Sequence, residues 1–257
     1  MKRLVAVCLL CPLVAVASCI DDPTFHFVAS ASDGGADETS ATATPPSSSN
    51  DMVLVPAATL APKLTTVPGE DAHVPAFRLD RHETKVASYA TCVAAGKCTA
   101  AGRTPDCATV ADHPVTCVTR AQAAAFCAFA GKRLVRSLEH VAAAAGTTGR
   151  TYPWGNGPPT ADRLNACGKE CDGKSLYSAF DAWVTTAPVG SVPNGQTPEG
   201  VVDLAGNAAE WVDATPSIVR GGSYADGDPN AVASSAAVAT PAETSAPTIG
   251  FRCARDQ

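Results

Sequence analysis

The chain has 257 residues, with 19 Lys and Arg against 25 Asp and Glu, for a formal net charge of −6. That balance argues against a general nucleic-acid binder, which needs a basic face to displace counterions, and a hydrophobic fraction of 46% excludes wholesale disorder. Aromatics make up only 5%, so the core must be built mostly from small side chains.

In chain order, Lys2 and Arg3 precede an apolar run from Leu4 to Ala17. A run of about 14 residues falls short of the roughly 20 that a spanning helix needs, and its form is that of a secretory signal over 1–18. Val16-Ala17-Ser18-Cys19 resembles a bacterial lipobox, which makes Cys19 the expected lipidation site and the membrane a partner through that anchor. Ordinary signal cleavage nearby is the alternative. Residues 20–51 hold no Lys or Arg and are mostly Ser, Thr, Ala, Gly, Pro and Asp. Too little of this stretch is apolar to offset chain entropy, so 19–51 is read as the lipidated cysteine and a disordered tether. One domain over 52–257 remains.

Within it, Met52-Val-Leu-Val-Pro56 reads as a strand stopped by proline, and Pro75–Asp80 alternates like a second. Lys85–Ala95 places Val86, Tyr89, Ala90 and Val93 on one helical face. Thr119 and Gln122 form a capping box that starts a helix burying Ala123, Phe126, Cys127 and Ala130 and stopping at Gly131. Ser137 is the expected cap of a further helix through Ala145, closed by Gly146. Beyond it Gly and Pro recur without a long period, so the class is α+β with low regular secondary structure.

Removing Cys8, Cys11 and Cys19 leaves eight cysteines, an even number suited to disulfides after export. Spacing favours Cys92–Cys98 and Cys167–Cys171. Zinc ligation is the rival, but the gaps are not the usual zinc spacings; a redox-active pair is another.

Seven segments, in order, resemble the formylglycine-generating (sulfatase-modifying factor) family. They are Met52–Pro56, Phe77-Arg-Leu-Asp-Arg-His-Glu-Thr84, His113-Pro-Val115 with Ala130-Gly-Lys-Arg-Leu134, Arg150-Thr-Tyr-Pro-Trp-Gly-Asn156, Asp203-Leu-Ala-Gly-Asn-Ala-Ala-Glu-Trp211, Arg220-Gly-Gly-Ser223 and Ile249-Gly-Phe-Arg-Cys253. The resemblance implies a loop-rich fold related to C-type lectin folds. It also implies a Cys127–Cys253 bridge, which leaves Cys107 to pair with Cys117. The long loop so closed is worth roughly 4–5 kcal/mol in the chain-entropy model.

The family enzyme oxidises a substrate cysteine to formylglycine with oxygen and a copper ion held by two cysteines. Here Asp226 and Ala231 stand in those two positions. Thiolates suit Cu(I) because both are soft, so copper is not expected. The tryptophan that lines the family's oxygen pocket is Ala209, while Ser223 keeps the family's serine. Ser223, Asp226, Ala231 and Ala209 therefore describe a vestigial pocket with no catalytic residue expected. A second branch of the family holds iron through a His-x3-His-x-Glu pattern; the five histidines (His26, His73, His82, His113 and His140) show none.

Calcium is the cofactor the resemblance retains. One ligand set falls on Asn165, Ala166, Asp181 and Trp183, a second on Asp203, Gly206, Ala208 and Glu210, with the hard oxygens calcium favours. The expectation is an exported, membrane-anchored lipoprotein, periplasmic or at the cell surface. Its domain would bind a protein, peptide or glycan, or serve a structural role, and take no nucleic acid. The alternative is an oxidoreductase of the same family, either formylglycine-generating or performing another metal- and oxygen-dependent oxidation with Asp226 or Asp228 as hard ligands for iron.

Overall fold

The computed structural model describes residues 51–65, 72–171 and 175–257, all within one compact unit, Thr42–Gln257. The signal, the lipobox and the tether up to residue 50 lie outside the described residues. No helix among the described residues is long and apolar enough to cross a membrane.

Among the described residues ten strands and three α-helices follow in order: β1 (Met52–Val55), β2 (Ala58–Thr59), β3 (His73–Val74), β4 (Phe77–Asp80), α1 (Val86–Ala94), α2 (Arg120–Phe129), β5 (Arg133–Leu134), α3 (Ser137–Ala145), β6 (Ala209–Trp211), β7 (Ile218–Arg220), β8 (Ala237–Ala239), β9 (Ile249–Phe251) and β10 (Cys253–Asp256). No element among the described residues exceeds ten residues, as the dense Gly and Pro punctuation predicts. One antiparallel sheet has the order β1-β4-β10-β5, and a second has the order β8-β7-β6-β9 with β6 and β9 parallel. Because β9 and β10 are separated by Arg252 alone, the last ten residues stitch the two sheets together.

The predicted strands and the first two helices form where expected. The Thr119 capping box is complete: Gln122 N–H donates to Thr119 Oγ1, and Thr119 N–H donates to Gln122 Oε1. Ala130 is only half-buried, and on α1 Ala90 is exposed while Tyr89 is buried. Ser137 is not the cap of α3. It is the first helical residue, and the Glu139 carboxylate instead accepts the Arg136 N–H at 2.9 Å. The Ser137 hydroxyl is claimed by the Arg220 guanidinium at 2.7 and 3.0 Å. Every residue of α3 is buried, and its Ala142–Ala145 run packs close against β1, β4 and the Val201–Leu204 turn.

Four disulfides join Cys92–Cys98, Cys107–Cys117, Cys127–Cys253 and Cys167–Cys171. They mark a protein that folds in an oxidising, exported setting. Cys127–Cys253 lies in a buried apolar cluster with Tyr89, Phe126 and Phe251. The Phe126 ring meets those of Tyr89 and Phe251 at 5.7 and 5.5 Å. These rings pack where α1, α2 and β9 converge.

Candidate functional site: a thiol-free cleft above a buried charge cluster

Arg220-Gly-Gly-Ser223 ends β7 and turns the chain under a cleft of about 190 Å³. Its lining brings together Ala209, Ser223, Asp226 and Ala231, the four positions singled out in the sequence. Gly222 has φ +69, and a Cβ there would stand 2.8 Å from the Ala231 carbonyl, so only glycine allows this approach. The Asp226 Oδ2 accepts both the Ser223 N–H, at 2.8 Å, and the Ser223 hydroxyl, at 2.9 Å. Asp228 accepts from Asn230 N–H and Nδ2. Both carboxylates are therefore engaged in holding their own turns. Arg220 lies beneath, 1% exposed, donating to Ser137 Oγ and to the Ser235 and Ala236 carbonyls. No thiol or imidazole lines this cleft, and all eight cysteines among the described residues are bridged.

Behind the cleft lies a group of buried charges in which Asp203 and Glu210, expected as calcium ligands, join Arg252, Glu83 and His140, to which sequence reasoning gave no role. Arg252 is fully buried and grips Glu210, with Nε at 2.8 and 2.9 Å from the two carboxylate oxygens and Nη2 at 2.7 Å from Oε1. Its other donors reach the carbonyls of Asp80, Arg81 and Val202. Glu83 accepts from Asn207 Nδ2 at 2.6 Å and from Ala208 N–H at 3.0 Å. Asp203 accepts the Gly190 N–H at 2.6 Å. His140 is 1% exposed, with Nε2 3.4 Å from Glu210 Oε2 and no well-aligned hydrogen bond.

Three buried carboxylates thus lie in the field of one guanidinium that bonds Glu210 alone among them, and their proton affinities separate accordingly. Burial, reinforced by the charges of Asp203 and Glu210, holds Glu83 well above the usual carboxylate range. Burial also pushes Asp203 up to about 6. It would raise Glu210 too, but Arg252 and His140 outweigh it and hold that carboxyl below its ordinary value. His140 is lowered, chiefly by burial.

The two ligand sets implied for calcium are held differently. Asn165 is 2% exposed; its Nδ2 donates to the Thr185 carbonyl and Asn207 Oδ1, while its Oδ1 is buried with no hydrogen-bond partner. Asp181 folds back onto the same turn, Oδ2 accepting the Ala166 N–H and the Tyr177 hydroxyl and Oδ1 accepting the Trp183 N–H. An orphaned buried amide oxygen suits a hard cation, so the first set fits calcium through Asn165 Oδ1, whereas the Ala166 carbonyl already accepts the Tyr177 hydroxyl. In the second set, Asp203, Gly206, Ala208 and Glu210 lie at and before β6, but both oxygens of Glu210 are taken by Arg252. With that charge already neutralised inside the protein, the second set does not fit. Asn207 links the first set to the buried Glu83, its Oδ1 accepting from Asn165 and its Nδ2 donating to Glu83. Among the described residues no three His, Cys, Asp or Glu side chains are grouped to hold a metal ion, so any site here must draw on amide and backbone oxygens.

The sequence matches the family model of the sulfatase-modifying factor enzyme 1-like domain over residues 38–257. It is 39% identical over 113 residues to the formylglycine-generating enzyme of Mycobacterium tuberculosis, covering 43% of this chain and 36% of that protein. It is 33% identical over 156 residues to the inactive C-alpha-formylglycine-generating enzyme 2 of Bos taurus, covering 56% of this chain and 50% of that one. The chain thus spans half or less of these two curated relatives. Among solved structures, PvdO from Pseudomonas aeruginosa superposes with a TM-score of 0.60 at 22% identity, covering 80% of this chain and 94% of that one. CarF does so with a TM-score of 0.59 at 20% identity, covering 80% and 98%. At these identities the structural likeness speaks to fold.

Proposed function

The chain belongs to the sulfatase-modifying factor enzyme 1-like family, and from that premise we propose that it is an exported lipoprotein whose domain binds rather than oxidises. The observation that carries this reading is the cleft itself. Asp226 and Ala231 stand where the resemblance places the copper-binding thiols, and the eight cysteines of the described residues are all bridged. A soft monovalent copper ion has no soft ligand to meet there. The serine and the glycine pair survive as a turn, closed by the Asp226 carboxylate.

The oxidoreductase reading would need Asp226 or Asp228 as a ligand for a harder metal. Their hydrogen bonds to Ser223 and Asn230 favour the turn role. Calcium belongs to the proposal at Asn165, Ala166, Asp181 and Trp183. There it would act structurally, compensating the buried oxygen of Asn165 and fixing the loop that carries Asp181. Lipidation at Cys19 would tether the domain to a membrane, leaving the cleft open to a peptide, protein or glycan.

The test is a thiol count on the purified exported protein, denatured without reductant. No alkylated cysteine from Cys92 onward is expected. Two free thiols in that stretch would restore the means of catalysis and end the binding-only reading.

A further inference from the structure

A second concavity, away from the thiol-free cleft, carries an inference of its own. The outer face of α1 and the chain from Ala100 to Thr109 enclose an open groove of about 570 Å³. That volume lies in the range of small-molecule sites. Its floor is Val86, Tyr89, Ala90, Val93 and Val115. Part of the apolar stripe that the sequence assigns to the core of α1 is in fact left facing this groove, Ala90 exposed and Val86 and Val93 only half-buried.

The opposite wall is an exposed loop fastened at both ends and along its first half. Cys92–Cys98 ties its start and Cys107–Cys117 its end. Between them the Tyr89 hydroxyl donates to the Thr99 carbonyl at 2.9 Å, and Gln122 Nε2 to the Ala100 carbonyl at 2.9 Å. Gly102 N–H donates to the Cys117 carbonyl at 2.8 Å. A loop held this way cannot collapse onto the apolar floor, so the groove stays open at little ordering cost to an occupant.

One charged residue lines it. Arg103 is exposed and makes no hydrogen bond or ion pair with any described residue, although the chain as a whole is acidic. A long apolar floor with a single unneutralised cation complements a molecule of the reverse pattern. We propose that this groove binds an anionic amphiphile, a linear alkyl chain ending in a carboxylate or an equivalent acidic head. The alkyl chain lies along α1 and the head meets Arg103. The site is independent of the cleft, and its occupancy does not depend on whether the cleft is catalytic.

The test uses the purified exported protein and the sodium salts of octanoate, decanoate and dodecanoate below their micellar concentrations, followed by calorimetry. Saturable one-to-one binding is expected, weakening roughly tenfold for each two methylenes removed. Arg103→Glu should weaken decanoate about fivefold and leave decanol unaffected. Ala90→Trp, which fills the groove from an exposed helical position, should abolish binding while all four disulfides and the thermal midpoint persist. Absence of saturable binding, or affinity indifferent to chain length, would overturn the proposal. Equal binding of decanol and decanoate would remove the acidic head from it. Sedimentation as a dimer that Ala90→Trp dissociates would also overturn it, because a second copy would then cover the groove.

Discussion

The Ser223 hydroxyl donates to Asp226 Oδ2 at 2.9 Å, and the same oxygen accepts the Ser223 N–H at 2.8 Å. A carboxylate three residues on thus caps the turn at the centre of the cleft. Asp226→Ala should cost about 1.5–3 kcal/mol, the usual worth of hydrogen bonds to a charged acceptor, or several degrees in thermal midpoint for a domain of this size. Asp226→Asn, which keeps an acceptor, should cost clearly less. Thermal unfolding of both variants checks this.

Arg252 is paired with Glu210, and its charge also acts on Glu83 and Asp203. Arg252→Met leaves these buried carboxylates without their cation and should cost about 3–5 kcal/mol. Pairing it with Glu210→Leu removes the orphaned partner and should recover part of the loss. Urea midpoints of the single and double variants make the comparison.

The same cluster sets a pH dependence with a definite sign. Glu83 and Asp203 have raised folded-state proton affinities, so their contribution is fully present below the ordinary carboxylate range. It is lost as pH rises, through about 6 for Asp203 and across the raised range of Glu83. Glu210 works oppositely: its contribution is present at neutral pH and lost as pH falls through its lowered value. At fixed calcium, the thermal midpoint should therefore be several degrees higher near pH 5 than near pH 7.5, and fall again in stronger acid. Asp203→Asn should flatten the slope between pH 5 and 7.5, since asparagine tolerates the φ of 56° at this position.

Calcium at Asn165 predicts a ligand-linked stability. Added at about 100 times its dissociation constant, it should stabilise by about 2.7 kcal/mol, and chelation should reverse this. Asn165→Ala removes the buried oxygen that lacks a partner and should abolish the calcium response. Glu210→Gln, at the set already neutralised by Arg252, should leave that response in place. Thermal scans with calcium and with chelator separate the two.

Features determined locally were legible in the sequence. The Thr119 capping box is written in residues three apart, and the short cysteine gaps name two disulfides; the family resemblance supplied the long Cys127–Cys253 bridge and, by remainder, Cys107–Cys117. Ser137 was misread because its hydroxyl is taken by Arg220, 83 positions away, and no local pattern records such a claim. Asp203 and Glu210 were legible only as hard oxygens, and their grouping with Arg252 and Glu83 was not, for the same reason. Glu83 and Arg252 sit in recognisable motifs, but whether a charge is buried is decided by what folds over it. The resemblance located the residues around the cleft, and the structure added what occupies their hydrogen bonds.

The most direct test of the binding reading is chemical. The purified exported protein, supplied with copper, oxygen and reductant, is incubated with a cysteine-containing sulfatase-type peptide and the peptide is read by mass spectrometry. The expected result is peptide recovered with its cysteine unconverted to the aldehyde, while a formylglycine-generating enzyme run in parallel converts it. Turnover of that cysteine to formylglycine by this chain would contradict the account.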